Sequence, residues 1–250
     1  AENVEPTVWR ITLKDNVTFS NGEKMTADKV IASLKRTAET NDRAAWLKDA
    51  EYTAEGNVLT IRTKAPYATL VNDLCDPYAV IVDVAGTKDF ENAPICTGPF
   101  VMSSFEADKH AVMMKNPKYW GGDVKVDEVE YTKIADFNTL AMALQGDEID
   151  VALDLSPETA ETIAANDKFT VVKTPQTRTY QLYMNLDKLT DPAVRQAIMY
   201  GVDKKTIGDQ YLKGAMTASN SAFLASTPYG DPALKARSYD PEKAKQVLAA

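Results

Sequence analysis

The sequence has very little of the two side chains that most often hold transition metals or form cross-links. It contains one histidine, His110, and two cysteines, Cys75 and Cys96, among 250 residues. Two thiols exclude a disulfide-dense scaffold and a four-thiolate zinc site, and a lone imidazole argues against a protein-built transition-metal centre. We therefore expect no metal ion and no cofactor. The two cysteines either form one disulfide or remain separate thiols, and the sequence leaves both options open.

Long apolar runs and clustered basic residues are also missing. No stretch approaches the roughly 18 consecutive apolar residues of a membrane-spanning helix. The formal net charge is −8 with a pI of about 4.8, and Lys and Arg are not gathered in one stripe. Because an acidic protein repels a phosphate backbone, we expect no nucleic-acid partner.

The familiar catalytic signatures are absent. The sequence has no G-x-S-x-G elbow, no P-loop, no H-E-x-x-H and no G-x-G-x-x-G. His110 lies in the charged stretch "EADKH", and we interpret it as a surface residue rather than a general base. One acidic cluster could supply oxygen ligands or a carboxylate pair for glycoside hydrolysis: Asp147, Glu148, Asp150 and Asp154. Its spacing is not that of an EF-hand, so we favour a solvated turn and keep a carboxylate-based hydrolase only as an alternative.

What is present is an ordinary globular composition with alternating strand and helix patterns. The chain is 44% hydrophobic and 26% charged, which is enough apolar material for a substantial core. The alternation predicts the α/β class. Strands are expected within 7–19, 51–63, 97–116, 126–135, 168–174 and 179–186, with one more after Gly146. Helices are expected over 27–39, 65–75, 137–145 and 156–165, twice after Asp191, and from Pro241 onward.

The stretch "KNPKYWGG" (115–122) allows two interpretations. Its tyrosine and tryptophan could be a platform for a ligand, or the whole stretch could be a corner of the chain. It stands between two strand-like runs, and Pro117 with the paired glycines suits a corner. We therefore interpret Tyr119 and Trp120 as a hydrophobic plug for that corner.

Several segments together resemble one family of transport proteins. They are "WRITLKDNVTFSNGEKMTADKV" (9–30), "TGPF" (97–100), "NPKYWGG" (116–122), "ALQGDEIDV" (143–151), "YMNL" (183–186), "VRQAIMYGVDKKTI" (194–207) and "YDPEKAKQVLAA" (239–250). In this order they resemble the extracytoplasmic solute-binding proteins of ABC importers, in the peptide- and nickel-binding family. The similarity is greatest to the nickel-binding branch. Members of the family are longer, so we expect the chain to be a fragment.

The resemblance implies a class II, periplasmic-binding-protein-like architecture of two α/β lobes around a ligand cleft. The boundary is expected in "TPQTRT" (174–179), with residues 1–176 forming a largely present first lobe and 177–250 beginning the second. The implied function is non-enzymatic capture of a short peptide or related small solute for a membrane ABC permease. The implied location is extracytoplasmic, in the periplasm or at the cell surface, with lipid anchoring of the full-length protein as one option. We expect a monomer.

The expected cleft lining comprises seven residues. They are Asp76, Tyr78, Lys115, Arg178, Tyr180, Gln181 and Tyr183. An arginine in an interlobe cleft can hold a carboxylate through a bidentate pair, which is the role expected of Arg178.

The family likeness also bears on the ligand and on the thiols. Nickel binders of this family are expected to hold a chelate with arginines, but the matching positions here carry Asp76, Ala79 and Lys115. Lysine keeps the charge but lacks the bidentate fork. A peptide with a positive amino terminus is therefore favoured, and a nickel chelate is the alternative. The same likeness places Cys75 and Cys96 beside the cleft, where an oxidised pair would suit an exported protein.

Overall fold

The computed structural model describes residues 1–174, 176–219, 221–224, 227–231, 233–234 and 238–249. The chain forms two compact units, Ala1–Lys133 and Ile134–Ala250. The mixture of helices and sheets confirms the predicted α/β class. Within the described residues, no helix has both the length and the apolar character needed to span a bilayer.

The first unit is built on a four-stranded antiparallel sheet in the order β1-β2-β4-β3. Its strands are β1 (Glu2–Glu5), β2 (Val8–Thr12), β3 (Glu51–Glu55) and β4 (Val58–Arg62). Gly56 has φ of +61° in the turn between β3 and β4, a left-handed conformation that glycine adopts without strain. The predicted hairpin over 51–63 is thereby confirmed.

Helix α1 (Ala27–Thr40) packs on this sheet and supplies much of the core. Its N-cap is Thr26, whose hydroxyl accepts a hydrogen bond from the amide of Lys29. Of the predicted apolar face, Val30, Leu34 and Ala38 are buried against β4, and Ile31 is half-buried. The 3₁₀ segment Asp42–Leu47 follows and adds two more residues to the same core.

The predicted helix over 65–75 is mostly wrong, because only α2 (Leu70–Asp73) forms. The residues before it are tied to the loop that precedes β2 instead. The amide of Thr63 donates to Thr7 O at 2.8 Å, and the amide of Tyr67 donates to Pro6 O at 3.1 Å. Those amides therefore pair with the backbone of the loop before β2 and not with carbonyls of a helical turn.

A second sheet in the first unit contains β5 (Phe100–Glu106), β6 (His110–Lys115) and β7 (Glu128–Thr132), antiparallel and in that order. Asp108 has φ of +62° in the turn between β5 and β6. The strands predicted within 97–116 and 126–135 are confirmed.

The described part of the second unit is helical. It contains α3 (Phe137–Gln145), α4 (Pro157–Ala164), α5 (Pro192–Gly201), α6 (Lys204–Thr206), a π-helical turn over Ile207–Tyr211, and α7 (Pro241–Ala249). Asp136, Ser156 and Asp191 cap the first three through their side chains. Ala141, Leu144 and Ile163 form a small core between α3 and α4.

The strands predicted after Gly146 and over 168–174 and 179–186 are wrong for the second unit. A strand needs a neighbouring strand for its ladder of hydrogen bonds, and none forms in the described part of this unit. Large side chains in these stretches are exposed, including Val172 at 80% and Tyr183 at 85%.

Candidate functional site

Asp76 lies in an irregular link between α2 and the 3₁₀ turn Pro77–Ala79. Its carboxylate accepts a hydrogen bond of 3.4 Å from the amide of Tyr78 and so caps that turn. The residue is exposed. Its carboxylate is therefore open to solvent at the surface of the first unit and also has this local structural role.

Tyr78 belongs to a half-buried aromatic group at the edge of the core. The Trp46 indole nitrogen lies 3.5 Å from the Tyr78 hydroxyl, and the Trp46 and Tyr67 rings meet edge to face at 5.0 Å. Tyr67 donates to Asp73 Oδ2 at 2.5 Å. Burial, followed by this carboxylate, raises the pKa of Tyr67 to about 12. These residues meet across different elements, so no sequence periodicity could have joined them.

Lys115 ends β6 and is paired within the first unit. Its Nζ lies 3.5 Å from Asp123 Oδ1 and 3.9 Å from Asp127 Oδ1, and its amide donates to Asp127 O at 2.7 Å. The hydrogen bond from Lys125 and the nearby charge of Lys115 hold the pKa of Asp123 below its usual range. Two carboxylates thus share the positive charge of Lys115, the residue that the family likeness matches to a ligand-holding arginine.

The corner over 115–122 is held by a buried amide that sequence reasoning overlooked. Asn116 is 2% exposed; its Nδ2 donates to Gly98 O at 2.8 Å, and its Oδ1 accepts from the amide of Lys118 at 2.9 Å. The Trp120 indole donates to Thr97 O at 3.1 Å, and its ring lies 5.7 Å from that of Tyr119. Both rings are half-buried, and the stretch turns the chain between β6 and β7, as the corner interpretation predicts.

The other four predicted residues belong to the second unit, in the irregular stretch around 179–186. Arg178 and Gln181 are exposed, as are Tyr180 and Tyr183. Gln181 Nε2 donates to the hydroxyl of Thr179 at 2.9 Å. Without a strand, the expected division into a packed and a cleft-lining face does not arise here, and the cleft-lining role of these side chains stays a prediction.

Both cysteines are free thiols in the structure. Cys75 is exposed and its sulfur lies 3.3 Å from Val71 O, whereas Cys96 is half-buried beside Val82. Burial raises the pKa of the Cys96 thiol. The oxidised pair that the resemblance suggested is therefore not formed.

The acidic cluster after α3 forms an exposed turn. Asp147 has φ of +59°, and Lys168 Nζ lies 2.6 Å and 2.7 Å from its two carboxylate oxygens. Asp150 is exposed and the neighbouring Ile149 is half-buried. This geometry matches the solvated turn that we favoured. Over the described residues, no group of three or more His, Cys, Asp or Glu is placed to hold a metal ion.

Comparison with known proteins gives a match over nearly the whole chain. The family model described as "Bacterial extracellular solute-binding proteins, family 5 Middle" matches residues 2–250. The nickel-binding protein NikA of Staphylococcus aureus is 30% identical over 246 residues, which are 97% of this chain and 50% of that protein. The glutathione-binding protein GsiB of Pectobacterium atrosepticum is 27% identical over 252 residues, 96% of this chain and 49% of that protein.

A solved structure extends this match to the fold. The crystal structure of Staphylococcus aureus NikA in complex with Ni(L-His)2 superposes with a TM-score of 0.89 at 29% identity, covering 99% of this chain and 54% of that one. The periplasmic-binding-protein-like fold class is thus confirmed. These relatives are binding proteins rather than enzymes, and the chain spans about half the length of the curated relatives that it matches.

Proposed function

We propose that this chain, which belongs to the bacterial extracellular solute-binding proteins of family 5, is part of a protein that captures short peptides or related small solutes for import. The captured solute is passed to an ABC permease in the membrane. The protein acts outside the cytoplasm as a monomer, with lipid anchoring of the full-length protein as one form of attachment. The lobe boundary is placed at 176/177, and the cleft is lined by the seven predicted residues.

Two charged side chains of the first unit favour a peptide over an anionic chelate as the ligand. The cation expected to hold an anionic ligand, Lys115, already faces Asp123 and Asp127, whereas the Asp76 carboxylate is exposed. An exposed carboxylate attracts the ammonium group of a free amino terminus, and a compensated lysine adds little affinity for a carboxylate. The glutathione-binding relative is consistent with this choice, because glutathione is a short peptide.

A nickel chelate is the second candidate. It rests on the similarity to the nickel-binding relatives, of which Staphylococcus aureus NikA covers 97% of the chain. On this proposal, exposed Arg178 and the tyrosines of the second unit would hold the chelate.

The two candidates are separated by a thermal-shift screen of the chain against di- to pentapeptides and against nickel with L-histidine. A ligand present at about 100 times its Kd stabilises a protein by about 2.7 kcal/mol, and so raises the unfolding midpoint by several degrees. We expect peptides with a free amino terminus to raise the midpoint and their N-acetylated forms to have little effect.

The matched variants are Asp76→Asn and Asp89→Asn. Both remove an exposed carboxylate that caps a local turn in the first unit. Only Asp76→Asn should reduce the shift with free peptides. A shift with the nickel complex alone would transfer the proposal to the second candidate. The screen is run on this chain and then on a full-length protein that contains this sequence. No shift of the unfolding midpoint with either class of ligand would refute solute capture.

A further inference from the structure

One turn of the first unit has a chemically labile sequence. Of the eleven glycines in the chain, only Gly22 follows an asparagine, Asn21. The backbone nitrogen of the next residue can attack an asparagine side-chain amide, and glycine hinders this attack least because it has no Cβ. Asparagine is one of the thermolabile residues of proteins. Asn21 and Gly22 are both exposed, so the water that the reaction consumes can reach the turn.

The reaction at this turn has two steps. In the first, the nitrogen of Gly22 bonds to Cγ of Asn21, the Cγ–Nδ2 bond breaks, and ammonia leaves with the proton of the Gly22 amide. In the second, water opens the resulting succinimide ring at one of its two carbonyl carbons. The product is aspartate or isoaspartate at position 21, and each has a carboxylate in place of the neutral amide.

In the folded turn, each reacting group makes a hydrogen bond. The Gly22 amide donates to Phe19 O at 2.8 Å. Asn21 Oδ1 accepts from the amide of Glu23 at 3.0 Å, and Asn21 Nδ2 donates to Asp83 Oδ2 at 2.9 Å. The nucleophile, the carbonyl under attack and the leaving group are thus all held in place. The attack requires the Asn21 side chain to rotate and the Gly22 amide to lose its proton, so these bonds must break first.

The same turn is bound to other parts of the first unit. Phe19 is fully buried, and the amide of Ser20 donates to Cys96 O at 2.8 Å. Lys118 Nζ donates to Asn21 O at 3.0 Å. The turn can therefore open only when a buried ring and contacts with two distant segments are released together, so it is closed most of the time.

We propose that Asn21 is a latent modification site, protected in the folded protein and deamidated when the turn opens. Refolding does not restore the original turn, because an ionised carboxylate then faces Asp83 where Nδ2 had donated a hydrogen bond. Isoaspartate also lengthens the backbone of the turn by one carbon atom. The modified fraction thus grows with the time that the turn spends open. The site uses none of the seven residues assigned to the solute, so it is independent of the proposed function.

The first measurement is the rate of deamidation in the whole chain at mildly alkaline pH, followed by peptide mass spectrometry. Trypsin releases "DNVTFSNGEK" (15–24) as one peptide, which contains both Asn21 and Asn16. Asn16 is the internal control, because it is also exposed but precedes the β-branched Val17, which hinders the attack. We expect conversion of Asn21 and not of Asn16, at least about tenfold slower in the folded chain than in guanidinium chloride.

The second measurement compares Asn21→Asp with Asn16→Asp, which add the same charge at exposed positions. Asn21→Asp should lower the thermal unfolding midpoint by several degrees, and Asn16→Asp should leave it nearly unchanged. Chain modified in denaturant, separated by ion exchange and refolded, should also unfold at a lower temperature than unmodified chain treated in the same way. Equal rates in the folded and denatured chains, no conversion of Asn21 in denaturant, or equal midpoints for the two variants would overturn the proposal.

Discussion

Lys29 Nζ lies 3.3 Å from Asp83 Oδ1, and the aspartate is only 1% exposed. Asp83 Oδ2 accepts a hydrogen bond of 2.9 Å from Asn21. Among the described residues, Oδ1 accepts no hydrogen bond of good geometry, so the charge of Lys29 is its main compensation. Together these contacts join α1 to the turn around Asn21 and to the chain before β5. Among the ion pairs described in the first unit, Lys29–Asp83 is the most deeply buried.

The first prediction concerns the pH dependence of stability at Asp83. Burial opposes ionisation, but the contacts with Asn21, Lys29 and the amide of Gly86 outweigh it and lower the pKa of Asp83. A lowered folded pKa contributes stability that is present above the unfolded value, near 3.9, and is lost as pH falls through the folded value. Asp83→Asn should therefore cost about 2 kcal/mol at pH 7 and progressively less in acid.

Urea unfolding of both proteins between neutral and strongly acidic pH measures this difference. Asp108→Asn is the matched control, because Asp108 also pairs with a lysine but is exposed. Its effect on the urea midpoint should be small at every pH, since solvent screens an exposed pair. A stability gap for Asp83→Asn that stays constant from neutral to acidic pH would contradict the lowered pKa.

A second prediction tests how tightly this network is packed. A Cβ added to Gly86 would lie 2.5 Å from Asp83 Oδ2 and 2.9 Å from Asn21 Nδ2, neither of which can move without losing its partner. Gly86→Ala should cost about 1–3 kcal/mol in free energy of unfolding. Gly201→Ala is the control, because nothing lies within 4 Å of the added Cβ and its φ is not left-handed. It should be neutral or slightly stabilising. Equal unfolding midpoints for the two variants would show that the site relaxes freely.

Elements with local signals could be predicted from the sequence. Thr26 caps α1 through its own hydroxyl, and Gly56 turns a hairpin because glycine accepts a positive φ. Both signals lie within a few residues of the structure that they determine. The compact core on α1 followed from the helical spacing of its apolar residues.

Contacts between distant parts of the chain could not be predicted in the same way. Nothing in the spacing of Lys29 and Asp83 indicates that they meet, and nothing in the local pattern indicates that Asp123 and Asp127 lie beside Lys115. The strand predicted over 179–186 has the right alternation of side chains, but alternation does not supply the neighbouring strand that a ladder requires. Local sequence patterns thus predicted individual helices and strands. Which charged side chains of the candidate site pair with one another could be learned only from the structure.

The third prediction concerns the thiols. Because both cysteines are free, alkylation of the denatured chain without reductant should modify both. In the folded protein at mildly alkaline pH, exposed Cys75 should react with a disulfide reagent faster than Cys96 by on the order of tenfold, since burial shields the latter and raises its pKa. Cys75→Ser should remove the fast phase and Cys96→Ser the slow one. A mass that alkylation changes only after reduction would instead show a disulfide.

The fourth prediction concerns Asn116, which holds the corner before β7. Asn116→Asp keeps the shape and the acceptor for the amide of Lys118, but it turns the donor facing Gly98 O into a carboxylate oxygen. At neutral pH a buried carboxylate against a carbonyl should cost about 2–4 kcal/mol. Its folded pKa would be raised, so protonation at lower pH restores a donor and the loss should shrink as pH falls. Asn138→Asp, at an exposed position early in α3, should cause no such loss. If urea midpoints showed the Asn116→Asp deficit growing rather than shrinking in acid, the hydrogen bond to Gly98 would not be what holds the corner.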